Sequence, residues 1–496
     1  MKPTLRWHDH ITLNIYWLGI NVASGSITPV ILPYLVALFV PPELKNTYLA
    51  NIRVVGLAVA MLVQPMAGML SDRSTSRWGR RRPFIFSGAL LNVVFLLIIG
   101  ASPLFLGSAL DGAVQPALGV GAAYLVLLIG IVLLQISSNL GHGALQGLIP
   151  DLVPEDQRGR SSGVKAVMEL LPVFLVLVIG PLVDSGRLGV AIGIVMGTFL
   201  ITMLITVLLV HEEPLKQKPA GAIGNRMFRL VALTTIFVVV TRLAVWFVGY
   251  AGRALGGAGV PEATQIILVG LAGLVGMAGS IIVGVYLGAR VGLGEQAAQQ
   301  RSFIWWVINR LLFLAAVGSI QGFAQYFLAD VLHLPNAATM TTVLLAVVAL
   351  FLLPSALYGG RLSDRIGRKR LVAYAGLIAA AGTFLLLFSR NVPMVIVSGC
   401  IIGLGTGTFY AANWALGTDL VPKEEAGRYL GISNLAGAGA GIVGAGIGGP
   451  MADFFNAQRP GLGYLVIFAI YAVLFLLSVA TLTRVAEPAA AKAPVA

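Results

Sequence analysis

Charge is what this chain has least of. Only 11% of its 496 residues are Asp, Glu, Lys or Arg, and the acids number 20. A soluble domain carries about 25% charged residues, so a water-soluble globular fold is excluded. Cysteine is scarcer still. Cys400 stands alone in an apolar run, which rules out an internal disulfide and a cysteine metal cluster. There is no His-Glu-x-x-His, no phosphate-cradling glycine loop followed by Lys, and no pair of carboxylates within one apolar run. Enzymatic chemistry and ATP-driven pumping lack the residues they need, so no cofactor and no metal is expected. The opening MKPTLRWHDH has no apolar core with a small-residue cleavage site, so no removable leader is expected.

What the chain has in abundance is apolar length. Hydrophobic residues make up 57% and mean hydropathy is +0.90. Runs of about 20 residues recur, each long enough to cross the hydrocarbon as a helix. Backbone groups must be satisfied within each span, which selects helices. Six spans are predicted near 11–39, 49–70, 84–102, 119–140, 162–183 and 189–210, with an outer loop at 103–118. A charged, proline-containing linker follows at 211–229. Eight more spans are predicted near 230–250, 265–287, 302–328, 338–359, 371–388, 394–415, 430–452 and 463–483, giving 14. Net charge is +13, but its distribution calls for no nucleic acid. With the N-terminus in the cytoplasm, only Lys45, Arg187, Arg253, Arg390 and Arg459 fall in outer loops. Arg53, Arg242 and Arg310 lie within spans, and the remaining 25 basic residues are cytoplasmic. A cell-membrane protein with both termini in the cytoplasm follows.

Two basic loops organise the chain. Gly68–Phe84 reads GMLSDRSTSRWGRRRPF, and Gly360–Arg370 reads GRLSDRIGRKR. Further markers repeat in the same order: IPDLVPEDQRGR (149–160) with GTDLVPKEEAGR (417–428), and Gly180-Pro181 with Gly449-Pro450. The expected plan is therefore an N-terminal six-helix bundle (1–210), the linker (211–229), an inserted two-helix hairpin with its loop (230–301), a C-terminal six-helix bundle (302–485) and a cytoplasmic tail (486–496). Two related bundles would hold a solute near the bilayer midplane between them. Gly68 would let two helices approach closely. Asp72, with Arg73, Arg80 and Arg81, would pair at the end of one helix. Asp364, with Arg365 and Arg368, would do the same in the second half. These contacts are expected to gate the path.

Both loops resemble the major facilitator superfamily motif, Gly-x-x-x-Asp-Arg followed by Gly-Arg-Arg/Lys. The longer SDRSTSRWGRRRPFI (71–85) resembles the sucrose/proton symporter family, with an echo at 133–152. The resemblance implies an all-α membrane transporter working by alternating access on a small polar solute such as a sugar or glycoside. It also exposes a departure. The family's fourth helix carries an acid for proton coupling and an arginine for sugar; here those positions are Gln135 and Gln146, while Asn139 matches. Glutamine cannot change charge, so proton-driven sucrose uptake through that position is not expected.

Candidates within the spans follow. Glu169, four residues after Lys165, is either a proton-coupling acid or half of an i,i+4 pair. His142 is a second coupling candidate. For the solute we expect Asn21, Gln135 and Asn139, then Asn309, Arg310 and Gln321, then Tyr410, Asn413 and Trp414. Amides share hydrogen bonds with hydroxyls and aromatic rings cover apolar sugar faces; amides also hold helices together. Arg310 could meet an anionic or a hydroxyl-rich ligand. The expected partners are the bilayer, a small solute and a proton, with the inserted hairpin as a candidate protein contact. Two alternatives stay open: an exporter of amphipathic or lipophilic compounds, and a transporter-derived membrane assembly or scaffold factor that no longer transports.

Overall fold

The computed structural model describes residues 4–215, 224–294, 300–421 and 426–486. The tail from 487, the linker residues 216–223, the loop 295–299 and residues 422–425 lie outside the described residues. Every regular element among the described residues is helical. In chain order the helices are α1 (Trp7–Phe39), α2 (Pro42–Ser71), α3 (Arg82–Phe105), α4 (Ala122–Leu152), α5 (Glu155–Asp184), α6 (Leu188–Leu209), α7 (Met227–Gly257), α8 (Glu262–Leu293), α9 (Arg301–Asp330), α10 (Ala337–Ile366), α11 (Arg368–Leu387), α12 (Val392–Asp419), α13 (Ala426–Gln458) and α14 (Leu462–Arg484). Among the described residues thirteen are long and apolar enough to cross a membrane; α13, whose side chains are described in part, is outside that count.

Local breaks follow the prolines and caps. In α1 the segment Ile27–Ile31 forms a π-turn. Pro29 and Pro33 remove N–H donors there and loosen the regular ladder. Leu171–Pro172 divides α5 into Arg158–Leu170 and Pro172–Asp184. The stretch 103–118, expected as a loop, contains a short helix, Ala109–Leu118. Ser108 Oγ accepts the Asp111 N–H at 3.2 Å, and Gly119 ends the helix in the left-handed conformation. A cap at each end satisfies what ten residues could not hold by propensity alone.

Two compact units divide the chain. The first comprises Met1–Val231, Ala324–Ala329 and His333–Ala346. Within it α4 is the most closely packed neighbour of α2 and α3. Gly143 makes the α2–α4 approach possible: a Cβ there would stand 2.3 Å from the Gln64 carbonyl oxygen. Gly68, the glycine expected to carry that role, would place a Cβ at an ordinary 3.6 Å from the Gly143 oxygen. Small residues let backbones meet where no water drives association, and the residue that cannot grow is Gly143. At the far end of α5, Asp184 accepts the N–H groups of Ala338 and Thr339 at 3.3 and 2.7 Å and caps the start of α10.

The second unit comprises Ala232–Phe323, Asp330–Leu332 and Val347–Ala496. Its core is built around α9, where Phe313 stacks on Phe409 at 3.6 Å and meets Phe475 edge-on at 4.8 Å. Helix α8 seats on α13 and α14, and α7 meets α13. Phe237 of α7 fills a notch at Gly439, where a Cβ would approach its ring to 2.7 Å. The other side of α7 leaves Leu243, Trp246 and Tyr250 exposed, as expected of a lipid-facing surface.

Candidate functional site

The second unit gathers a polar cluster from helices that are otherwise apolar. On α9, Trp306, Asn309, Arg310 and Phe313 recur at three- and four-residue steps and so share one face. Tyr410, Asn413, Trp414 and Gly417 do the same on α12. Their side chains form a directional chain. The Ser478 carbonyl on α14 can only accept, so Asn309 presents Nδ2 to it, at 2.7 Å. The Asn309 Oδ1 therefore accepts from Asn413 Nδ2, at 2.8 Å. This leaves Asn413 Oδ1 to accept from Arg310 Nη1, at 3.3 Å. Trp306 Nε1 fixes the same turn by donating to the Asn413 backbone oxygen at 3.0 Å. The Arg310 guanidinium lies 5.1 Å from the centre of the Trp414 ring, in cation–π range.

Exposure divides these residues into two groups. Asn309 and Asn413 are 0% exposed. Their amides are hydrogen-bonded inside the bundle, to Ser478, to each other and to Arg310. Tyr410 and Trp414 keep 40% and 37% of their surface open. Arg310 Nε is buried with no acceptor. Among the described residues no carboxylate lies within ion-pairing distance of Arg310. Gln321 stands apart, exposed and eleven residues further along α9, roughly 16 Å along the axis.

The first unit holds a second cluster, on α1, α4 and α5. Lys165 Nζ lies 3.2 Å from Glu169 Oε1 and 4.0 Å over the Trp17 ring. His142 meets Trp17 edge-on, at 5.0 Å, and its Nε2 is 3.3 Å from the Gln146 amide. Both readings of Glu169 therefore remain compatible: the i,i+4 pair is formed, and the pair is one ring away from His142. Asn21 donates to the Trp17 carbonyl at 2.8 Å, and Asn139 donates to Gln135 at 2.8 and 3.1 Å. A carboxylate, an ammonium and an imidazole in one cluster can hold and pass a proton.

At the loop after α2, Arg81 is 5% exposed. It pairs with Asp72, and its Nε donates to Asp151 Oδ2 at 2.9 Å. Its Nη1 donates to Ser71 Oγ at 2.6 Å and reaches the Gly68 carbonyl at 3.4 Å. Arg80 also pairs with Asp151. Arg73 begins the loop, its N–H donating to the Leu70 carbonyl at 3.1 Å. Glu212, just past α6, accepts the N–H groups of Arg81 and Arg82 at 2.9 Å each and so caps α3. Burial pushes the Glu212 carboxyl above its ordinary 4.5, while the Arg82 and Arg81 N–H donors and the Arg81 charge pull it back.

The second unit repeats the arrangement in a looser form. Arg368 lies 3.7 Å from Asp364 and 2.5 Å from Asp419. Arg365 is exposed and makes no ion pair among the described residues, so Arg368 alone joins the two acids. Sequence reasoning found the arginines and the loop acids but missed Asp151 and Asp419. The signal was present: both sit in the repeated Asp-Leu-Val-Pro. Glu212 carried no such mark.

The family described as "MFS/sugar transport protein" matches residues 17–222, and that described as "Major Facilitator Superfamily" matches 306–496. The chain is 32% identical over 177 residues to the general alpha-glucoside permease of Schizosaccharomyces pombe, covering 34% of this chain and 30% of that protein. It is 29% identical over 143 residues to the sucrose transport protein SUC4 of Arabidopsis thaliana, covering 28% and 26%. The matched stretches thus span less than a third of the length of these relatives. A POT family transporter solved with 5-aminolevulinic acid shares the fold, with a TM-score of 0.64 at 13% identity over 97% of each chain. With the two family models together matching most of its length, the chain belongs to the major facilitator superfamily.

Proposed function

We propose that this chain is a secondary transporter that carries a sugar or glycoside across the cell membrane by alternating access, with both termini in the cytoplasm. One observation carries the reading: Arg310 is held beside two accessible aromatic rings, Tyr410 and Trp414, by amides that are themselves buried. Rings suit the apolar faces of a sugar and the fixed donor suits its oxygens. The names of the similar proteins, a glucoside permease and a sucrose transport protein, support the same class. In this reading residues 1–210 and 302–485 are the two moving bundles and the hairpin within 230–301 is an accessory that meets lipid. Asn21, Gln135 and Asn139 in the first unit, and Gln321 in the second, are further candidate solute ligands. Glu169, tuned by Lys165 and neighboured by His142, takes up the coupling role that Gln135 cannot fill. The clasps built on Gly68, Asp72, Arg73, Arg80 and Arg81, and on Asp364, Arg365 and Arg368, gate the inner side.

The test is uptake by purified protein in proteoliposomes, with sucrose, maltose, aryl glycosides and uronic acids as cargo and a lipophilic cation as comparison. Saturable uptake of at least one carbohydrate is expected. Uptake of the lipophilic compound alone would transfer the protein to the exporter class, and binding without any uptake would favour a scaffold role.

A further inference from the structure

We infer that the solute carries a carboxylate, as a uronic acid or an acid-bearing glycoside does, and that Arg310 is its counter-ion. The inference rests on the sugar reading above and narrows its substrate class. An arginine within a membrane span is costly unless paired, and internal solutions normally supply an acid. Here α9, α12 and α14 supply none: the guanidinium meets an amide oxygen on one side and a tryptophan ring nearby.

The geometry of the unused donors sharpens the point. The Nη1 donor is taken by Asn413. Nε is buried without an acceptor, and no described residue accepts from Nη2. Nε and Nη2 form one edge of the planar guanidinium, and that edge matches the two oxygens of a carboxylate. A neutral hydroxyl would satisfy one donor and leave the charge uncompensated. A sugar phosphate, as a dianion, would bring more charge than one arginine balances. Asn309 and Asn413 act as positioning residues, because the Ser478 carbonyl fixes the direction of both amides and so the plane of Arg310.

The test compares ligands of equal size on the full-length protein in nanodiscs: glucuronate or an aryl glucuronide against glucose or the matching glucoside, with glucose 6-phosphate as a third arm. Binding is read by thermal shift and by displacement of a labelled glycoside. The acid form is expected to bind about tenfold tighter than the neutral form or more, the value of a charge-assisted bidentate contact. Arg310→Gln should bring that ratio to about one. Because that variant could misfold, Arg310→Lys provides a second route. It keeps the positive charge and leaves the Asn309–Asn413 amide pair intact but lacks the planar two-donor edge, so it should keep a thermal midpoint near the native one while losing most of the preference for the acid. Equal binding of acid and neutral forms by the native protein, or a preference for the phosphate, would overturn the inference and leave the sugar reading intact. Binding of non-sugar carboxylates without any carbohydrate would sink the sugar reading and keep the role of Arg310; binding of none would remove both.

Discussion

Arg81 and Arg368 each join two acids and should not matter equally. The Arg81 side chain is 6% exposed and Asp151 18%, whereas Arg368 and Asp419 keep 32% and 39%. Breaking a buried pair leaves a desolvated charge behind and costs about 3 kcal/mol, while an exposed pair is worth under about 1 kcal/mol. Asp151→Asn is therefore expected to lower the thermal midpoint in detergent well beyond Asp419→Asn. Equal shifts would show that burial does not set the strength of the clasps. Glu212 makes a pH prediction. Its folded-state affinity for a proton is raised by burial, so the folded state holds more protons than the unfolded state just above pH 4.5. Stability must then fall as pH rises through the raised value. Glu212→Gln keeps an acceptor for the two N–H groups and cannot titrate. The midpoint difference, native minus variant, should become more negative between pH 4.5 and pH 8; parallel profiles would refute the linkage.

At the scale of elements, two contacts decide how helices meet. Asp184 caps the first turn of α10 from another helix, with the Thr339 hydroxyl adding a bond at 2.5 Å. Losing a cap costs about 1 kcal/mol. Asp184→Ala should lower the midpoint by that amount, and Asp184→Asn should recover most of it, since an amide oxygen can still accept. Gly143→Ala is expected to cost about 1–3 kcal/mol, because a Cβ meets the Gln64 backbone rather than a side chain that could swing away. Gly68→Ala should cost less, since its Cβ would find ordinary contact. A larger loss at Gly68 than at Gly143 would place the tight α2–α4 crossing elsewhere. The Gly180–Pro181 pair also has a packing account: a Cβ at Gly180 would stand 2.7 Å from the Ala338 carbonyl oxygen, so glycine is required there whichever way cargo moves.

At the scale of the whole molecule, the proposed proton coupling is tested through an ionisable cluster within the first unit. Lys165, Glu169, Trp17 and His142 form one such cluster among the described residues of the first unit. Glu169→Gln should abolish pH-driven accumulation in proteoliposomes while leaving counterflow exchange within about twofold, since exchange needs no net proton movement. His142→Gln should shift the pH optimum less. Unchanged accumulation in Glu169→Gln would remove the acid from the coupling path.

Composition and periodicity by themselves determined the membrane class, the helical architecture and the duplicated loops. The reason is that a bilayer leaves so few solutions: apolar length sets the spans, and basic residues stay at their ends. Spacing also made Glu169 pair with Lys165 and put Asn309 and Arg310 on one helical face, because those relations lie within a single helix. Contacts between helices were out of reach. That Asp151 and Asp419 pair with the loop arginines, that Glu212 caps α3, and that Asn309 and Asn413 are buried and bonded to one another depend on which faces meet. Only tertiary packing decides that, since nothing in the local sequence records the distance between residues 72 and 151 or between 310 and 413.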